Sequence, residues 1–381
     1  VQRGGIAIER ILLLSMGFGT GHNAAAKALE CQFAKQRPHL SVEVVDLLKL
    51  IPGSFHPLLQ SGYQGMLNKF PTLYHYLYDW THHNKIIRYV SSEMIEKMGW
   101  TIRKKLSQLF PDEPARIVTT HPFGTLLCPA DWENVLTVGV VTDYELHPIW
   151  LARVPDVLCV PKQLLRRGDL ERIQWKTGLK LLETGIPINP AFYEEVSALE
   201  ARLQLGLDPN RPVVLIMGGG TGLGPLEQIV EELKGFTWIQ FVVLTGKNHN
   251  LYQRLKKKHD CPHILIEAFR RDVALFMSAA DLLVTKPGGL TISEAIAKRL
   301  PMFLFEAFPG QEEANQQYLL HHRVAMITRP STIRIQIEKF FSPGFNRQRI
   351  RERFTPLLSP GASRRIVRET LTAKEPVVQT L

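Results

Sequence analysis

A chain of 381 residues, 45% hydrophobic and 22% charged, has the composition of a folded globular protein and the length for two domains, each with its own core. Four widely spaced cysteines with no CxxC pair argue against a disulfide framework or a structural zinc site. No apolar run reaches the roughly 18–20 residues that span a bilayer, and the first residues lack the apolar stretch of a signal peptide. The net charge of +10 is concentrated between Arg329 and Lys374, where eleven Lys/Arg face three Asp/Glu. That segment reads as a solvated helix face or a contact for an anionic membrane surface, and not as a nucleic-acid site, since no reading motif accompanies it.

Strands and helices alternate along the chain, which predicts parallel sheets in an α/β fold. In the first half, strands are expected at Ile11–Met16, Val42–Asp46, Arg116–Thr120, Thr137–Thr142, Val157–Val160 and Leu182–Gly185, with a helix at Asn23–Lys35. Residues 50–105 depart from the alternation. They are aromatic and basic, as in Leu73-Tyr74-His75-Tyr76-Leu77-Tyr78-Asp79-Trp80, and read as helical core packing or as an interfacial, acceptor-binding surface. The Pro-rich Gly185-Ile186-Pro187-Ile188-Asn189-Pro190 marks a linker within Ile188–Leu207. It separates an N-terminal domain at 8–187 from a C-terminal domain at 208–372.

The second half repeats the architecture without repeating the sequence. Strands are expected at Val213–Met217, Phe241–Thr245, Ile264–Glu267, Leu282–Thr285, Met302–Phe305 and Ala325–Ile327. Helices are expected at Pro225–Leu233, Leu251–His259, Val273–Ala279, Thr291–Lys298 and Ala314–His321.

Each half opens with a strand, a glycine-rich turn and a helix, a unit that brings backbone N–H groups and a positive helix end to a ligand. The first turn, Gly17-Phe18-Gly19-Thr20-Gly21-His22, lacks the Gly-x-Gly-x-x-Gly spacing of a dinucleotide site, although Asp46 ends the next strand where a ribose ligand would sit. His22 at a helix N-terminus is either a capping ring or a general base, since a positive helix end disfavours the imidazolium. Asp143, His147 and Trp150 follow one strand and His121 follows another; loop capping and a catalytic or acceptor-side role compete for them.

The second turn, Gly218-Gly219-Gly220-Thr221-Gly222-Leu223-Gly224, has the glycines that let a backbone approach a diphosphate. Lys286-Pro287-Gly288-Gly289-Leu290-Thr291 opens a second helix. Glu294, one turn in, is placed either to accept from vicinal ribose hydroxyls or simply to suit the helix dipole. Gln311 and Glu312, after Pro309-Gly310, are candidates for sugar hydroxyls or for stabilising a helix start. No Asp-x-Asp, Walker-type or Gly-x-Ser-x-Gly motif occurs, so neither a bound metal nor another cofactor is expected, and neither a P-loop NTPase nor a nucleophile-elbow hydrolase.

Taken in order, several pieces resemble the monogalactosyldiacylglycerol synthase and processive diacylglycerol glucosyltransferase family. They are Gly19-Thr20-Gly21-His22, Val141-Thr142-Asp143 with His147 and Trp150, Thr184-Gly185-Ile186-Pro187, Met217-Gly218-Gly219-Gly220, Thr285-Lys286-Pro287-Gly288-Gly289, and Pro309-Gly310-Gln311-Glu312 with Asn315. The resemblance implies a GT-B fold, with two Rossmann-like doubly wound domains facing across a cleft. It implies inverting, metal-independent transfer of galactose or glucose from UDP-galactose or UDP-glucose to diacylglycerol, by a peripheral enzyme at the cytoplasmic face of a membrane or at a plastid membrane. By the same resemblance His22, with Asp143, is catalytic. Gly218, Gly219, Gly220, Gly288, Gly289 and Thr291 border the diphosphate, Glu294 the ribose, Phe269 the uracil, and Gln311 and Glu312 the sugar. His121, His147 and Trp150 fall on the acceptor side. A polyprenyl or soluble acceptor, a UDP-sugar epimerase and a non-catalytic UDP-sugar sensor are the alternatives.

Overall fold

The computed structural model describes residues 10–17, 20–50, 99–111, 114–129, 132, 135–164, 167–259, 261–305, 307 and 310–373. Most of the aromatic stretch at 50–105 lies outside the described residues, as do Phe18, Gly19 and Pro309. The chain divides into two compact units, one made of residues 1–189 with 361–381 and the other of residues 190–360.

The first unit is built on β1 (Arg10–Ser15), β2 (Ser41–Asp46), β3 (Arg116–Thr119), β4 (Leu136–Val140), β5 (Val157–Val160) and β6 (Lys180–Glu183). They form one parallel sheet in the order β2-β1-β3-β4-β5-β6. The apolar runs of β1 make sense once both faces of the sheet are covered. Leu12 and Leu14 pack with Leu47, Ile102 and Leu106 on one side, whereas Ile11 and Leu13 pack with Leu29 and Phe33 on the other. The helix Gly21–Gln36 supplies Leu29 and Phe33 and buries Ala25, Ala26 and Ala28 as well. It begins two residues earlier than the sequence pattern suggests, which puts His22 inside its first turn.

The sequence pattern places residues up to 372 in the second domain. The helix Ala362–Thr372 instead belongs to the first unit. Its Ile366 and Val367 are fully buried in the cluster that holds Leu29 and Phe33. The buried guanidinium of Arg116 donates to the carbonyls of Thr370 and Ala373, the latter at 2.9 Å, and so satisfies the end of this helix. Lys180 pairs with Glu369 on its outer side.

The second unit contains β7 (Val213–Met217), β8 (Gln240–Leu244), β9 (Ile264–Glu267), β10 (Leu282–Thr285), β11 (Met302–Leu304) and β12 (Ala325–Ile327). These are again all parallel, in the order β12-β11-β10-β7-β8-β9. All twelve expected strands are present, with ends within two residues of the expected ones. The unit boundary falls at residues 189–190, inside the Pro-rich segment. Asp281, just before β10, accepts from Arg202 of the helix Ala198–Gln204 at 2.7 Å and from the N–H of Val213 at 2.9 Å. This pair fixes the linker helix to the start of the central strands. Among the described residues no helix is long and apolar enough to cross a membrane.

Candidate active site

In parallel α/β sheets the loops after the carboxyl ends of the strands carry the ligand chemistry, and the singled-out residues fall there in both units. After β1, the turn is closed by Asp46 at the end of β2. One carboxylate oxygen of Asp46 accepts from the N–H groups of Gly17 (3.0 Å) and Leu48 (3.1 Å), and the other from Asn23 Nδ2 (3.0 Å). Ser15 Oγ donates to Asn23 Oδ1 at 2.6 Å. Asp46 thus works as a structural clasp between turn, helix and strand. Gly17 leaves room for this clasp, since a Cβ there would lie 2.6 Å from Asp46 Oδ2 and push the carboxylate aside.

This clasp sets the first turn of the helix that carries His22. The ring Nδ1 of His22 lies 2.8 Å from the carbonyl oxygen of Thr120 and 2.9 Å from Thr142 Oγ1. A carbonyl can only accept, so this hydrogen bond needs the proton on Nδ1 and leaves the lone pair on Nε2. Thr120 Oγ1 in turn donates to the backbone carbonyl of His22 at 3.1 Å. Thr120 and Thr142 are buried loop residues. Sequence reading did not single out their role, because nothing in one dimension brings residues 22, 120 and 142 together.

His121 meets the His22 ring edge-on, with centroids 4.8 Å apart. It accepts from the Phe123 N–H through Nδ1 at 3.2 Å, and burial together with the neighbouring His22 and His147 holds it well below the ordinary histidine range. A group so placed stays neutral. His147 accepts from the Ile149 N–H through Nδ1 at 3.2 Å and so caps the short helix Pro148–Leu151. Trp150 is 3% exposed and packs with Val141, Leu158 and Val160 as part of the core. Its ring also explains Gly139 on β4, where a Cβ would come within 2.8 Å of it. Burial gives Trp150 a supporting place under the loop. Asp143 is half-buried next to Thr142.

In the second unit, Gly218–Gly224 forms a compact turn between β7 and the helix Leu226–Leu233. Gly222 has φ +63° and Gly224 φ +112°. A Cβ on either would strike Thr245 O at 2.0 Å or the Phe305 ring at 2.3 Å. The carbonyls of Gly218, Gly219 and Gly220 accept from the N–H groups of Leu223, Gly222 and Lys247 at 3.0–3.1 Å. The oxygens that would repel an anion are therefore engaged within the protein. A second turn, after β10, leads through Gly288 into the helix Gly289–Ala297, whose N-cap has no side-chain hydrogen bond. The first N–H groups of such a helix have no intrahelical acceptor and suit an anion. Gly289 is buried at its first position, and Thr291 is half-buried at its third.

Glu294 lies in the next turn of that helix. Desolvation pushes its carboxyl up to about 8, although the residue keeps some surface. Its backbone carbonyl accepts from the Lys298 N–H at 3.1 Å, but among the described residues no hydrogen bond or ion pair to its side-chain carboxyl is found. A carboxyl with that environment gains from any hydroxyl donors that reach it. Phe269, after β9, is 48% exposed, with Lys247 Nζ 5.8 Å from its ring centroid. It offers an aromatic face for stacking. Glu313 takes the helix-capping role, accepting from the Gly310 N–H at 3.2 Å. Glu312 pairs with Lys286, and Gln311 opens the helix Gln311–His321.

The basic C-terminal segment is shared between the two units. Arg347, Arg349, Arg351 and Arg353 lie in the second unit, and Arg364, Arg365 and Arg368 in the first. Arg347 donates to the Phe340 carbonyl, Arg353 to that of Arg323, and Arg365 to that of Thr184.

Comparisons with known proteins agree with this division. Residues 22–188 match the family model of monogalactosyldiacylglycerol (MGDG) synthase, and residues 213–340 match the glycosyltransferase family 28 C-terminal domain. A probable chloroplastic monogalactosyldiacylglycerol synthase 3 of Oryza sativa is 29% identical over 87% of this chain, which spans 67% of that protein. The processive diacylglycerol beta-glucosyltransferase of Bacillus cereus is 26% identical over 84% of the chain and 82% of its own length. Among solved structures, the calicheamicin glycosyltransferase CalG4 superposes with a TM-score of 0.63 at 13% identity, covering 96% of this chain and 98% of that one, which shows a GT-B fold. Two parallel Rossmann-like units, a synthase-type first half and a family 28 second half place the chain in the monogalactosyldiacylglycerol synthase and processive diacylglycerol glucosyltransferase family of glycosyltransferases.

Proposed function

We propose that this glycosyltransferase moves one hexose, galactose or glucose, from a UDP-hexose held by the second unit to the hydroxyl of diacylglycerol, giving a β-glycosyldiacylglycerol and UDP. The observation that carries this reading is the tautomer imposed on His22 by the Thr120 carbonyl, which leaves Nε2 free to accept a proton. The acceptor oxygen attacks the anomeric carbon from the face opposite the departing group, and its proton goes to Nε2. The bond from the anomeric carbon to the β-phosphate oxygen breaks, and its electron pair leaves with UDP. The two glycine turns offer amide N–H groups to the diphosphate, Glu294 accepts from the ribose hydroxyls, and Phe269 stacks on the uracil. A sensor would need neither a base nor its locked tautomer.

Diacylglycerol resides in a bilayer, so the enzyme works as a peripheral protein at a membrane face. Support comes from the helix at 99–109, where Trp100 is 62% and Leu109 54% exposed and Lys104 Nζ sits 5.0 Å from the Trp100 ring centroid. Such an apolar and cationic pairing suits a headgroup layer.

Incubation with labelled UDP-galactose or UDP-glucose and vesicles containing diacylglycerol tests the reading. The expected product is a labelled lipid cleaved by a β-glycosidase and not by an α-glycosidase. Label appearing only on a polyprenyl or soluble acceptor, or UDP binding without any transfer, would overturn it.

A further inference from the structure

Lys286 takes no part in the reaction proposed above, yet two glycine turns and a helix of the second unit meet at it. It follows β10 directly. A Cβ built on Gly219 in the turn after β7 would lie 3.3 Å from Lys286 Cε, and one built on Gly288 would lie 4.0 Å from the same atom. The lysine stem therefore runs along both glycine turns: a side chain at 219 would crowd it, and one at 288 would only touch it. Its Nζ pairs with Glu312 on the helix that follows β11, with side-chain exposures of 18% and 15%. Asn315, on the same helix and fully buried, donates to the Pro287 carbonyl at 3.0 Å and rivets the lysine loop to that helix.

A cation held between two anion-accepting turns, and shielded from solvent by a carboxylate, has a charge that a diphosphate can claim. We propose that Lys286 is the cationic contact of the donor diphosphate and that Glu312 is its exchangeable counterion. When the donor enters, the ammonium group turns from the carboxylate to a phosphate oxygen. Glu312 is then released to accept from hydroxyls of the hexose. When the bond from the anomeric carbon to the β-phosphate oxygen breaks, the extra negative charge on that oxygen develops beside Lys286. The exchange couples recognition of the sugar to recognition of the phosphates, so neither half of the donor is gripped fully without the other. This inference rests on the reading of the second unit as a UDP-hexose site.

Calorimetric titration of uridine, UDP and UDP-hexose into the wild-type chain, Lys286→Met, Lys286→Arg and Glu312→Gln tests it. Lys286→Met should weaken UDP by about tenfold or more and leave uridine within about twofold, while Lys286→Arg should recover most of the loss. Glu312→Gln should bind UDP at least as tightly as the wild type, because the competitor of the phosphate is gone, and should lose the preference for UDP-hexose over UDP. Unchanged UDP affinity in Lys286→Met would overturn the phosphate contact, as would equal losses for uridine and UDP. A loss of UDP affinity in Glu312→Gln matching that of Lys286→Met would overturn the exchange, since the pair would then only position the lysine. A wild-type chain that does not bind UDP would instead refute the donor site itself.

Discussion

The two units begin with the same device and close it in opposite ways. In the first, the turn after β1 is clasped by side chains: Asp46 takes the Gly17 and Leu48 N–H groups and the Asn23 amide, and the next helix starts at once with an imidazole in its first turn. In the second, the turn after β7 packs backbone on backbone, with Gly222 against Thr245 and the turn carbonyls engaged by neighbouring N–H groups. The clasped turn fixes the start of the helix that carries His22, and the glycine turn is held by its own backbone. In the proposed reaction the first would supply chemistry and the second binding, and substitutions should separate the two.

The sharpest separation is at His22. His22→Ala should lower kcat by about 10²–10⁴-fold, the usual range for a general base, while the Kd for UDP stays unchanged. Turnover close to the wild type would remove the imidazole from the reaction. Second in size is Gly222→Ala, which forces a side chain to φ +63° and to 2.0 Å from Thr245 O. Strain of this kind costs about 3 kcal/mol, read as a fall in the denaturation midpoint of the second unit, and an unchanged midpoint would show that the turn has slack.

Glu294→Gln comes next, and its signature is a pH dependence. It should weaken UDP by about 2 kcal/mol at pH 9, where the wild-type carboxyl is ionised, and the deficit should shrink as the pH falls through about 8. Stability should move the other way. The folded carboxyl titrates near 8, above its ordinary 4.5. Its contribution to stability is therefore fully present below about pH 4.5 and is lost as the pH rises through 8. The ligand-free Gln variant should accordingly melt higher than the wild type at pH 9 and no higher at pH 4.5. Equal melting differences at both pH values would contradict the buried carboxyl. The smallest effect is expected for Thr142→Val, which removes one of two oxygens near His22 Nδ1. The loss should be about 1 kcal/mol, or roughly fivefold in kcat, with UDP affinity untouched. A loss as large as that of His22→Ala would mean that Thr142 alone orients the ring.

Much of this organisation is legible in one dimension. Parallel strands buried on both faces must be continuous apolar runs, so Leu12-Leu13-Leu14 and Val213-Val214-Leu215-Ile216 announce themselves, and glycines mark the turns between strand and helix. His22, Glu294 and Glu312 could be picked out because each stands at a helix start after such a strand. What each touches could not. Asp46 looks like a ribose ligand by position and proves to be a clasp, Trp150 is core, and Glu313, not Glu312, caps its helix.

The sequence by itself determined the two α/β units, the order of their strands along the chain and the glycine turns, because those follow from local periodicity and from backbone freedom that only glycine has. Tertiary structure alone decided that Thr120 sets the tautomer of His22 and that Lys286 answers to Glu312. It also decided that the last helix, with Ile366, Val367 and the carbonyls held by Arg116, packs in the first unit although it follows the second. The physical reason is the same in each case. A helix face or a hydrogen-bonding group carries no record in the chain of which distant partner will bury or satisfy it, and only packing makes that choice.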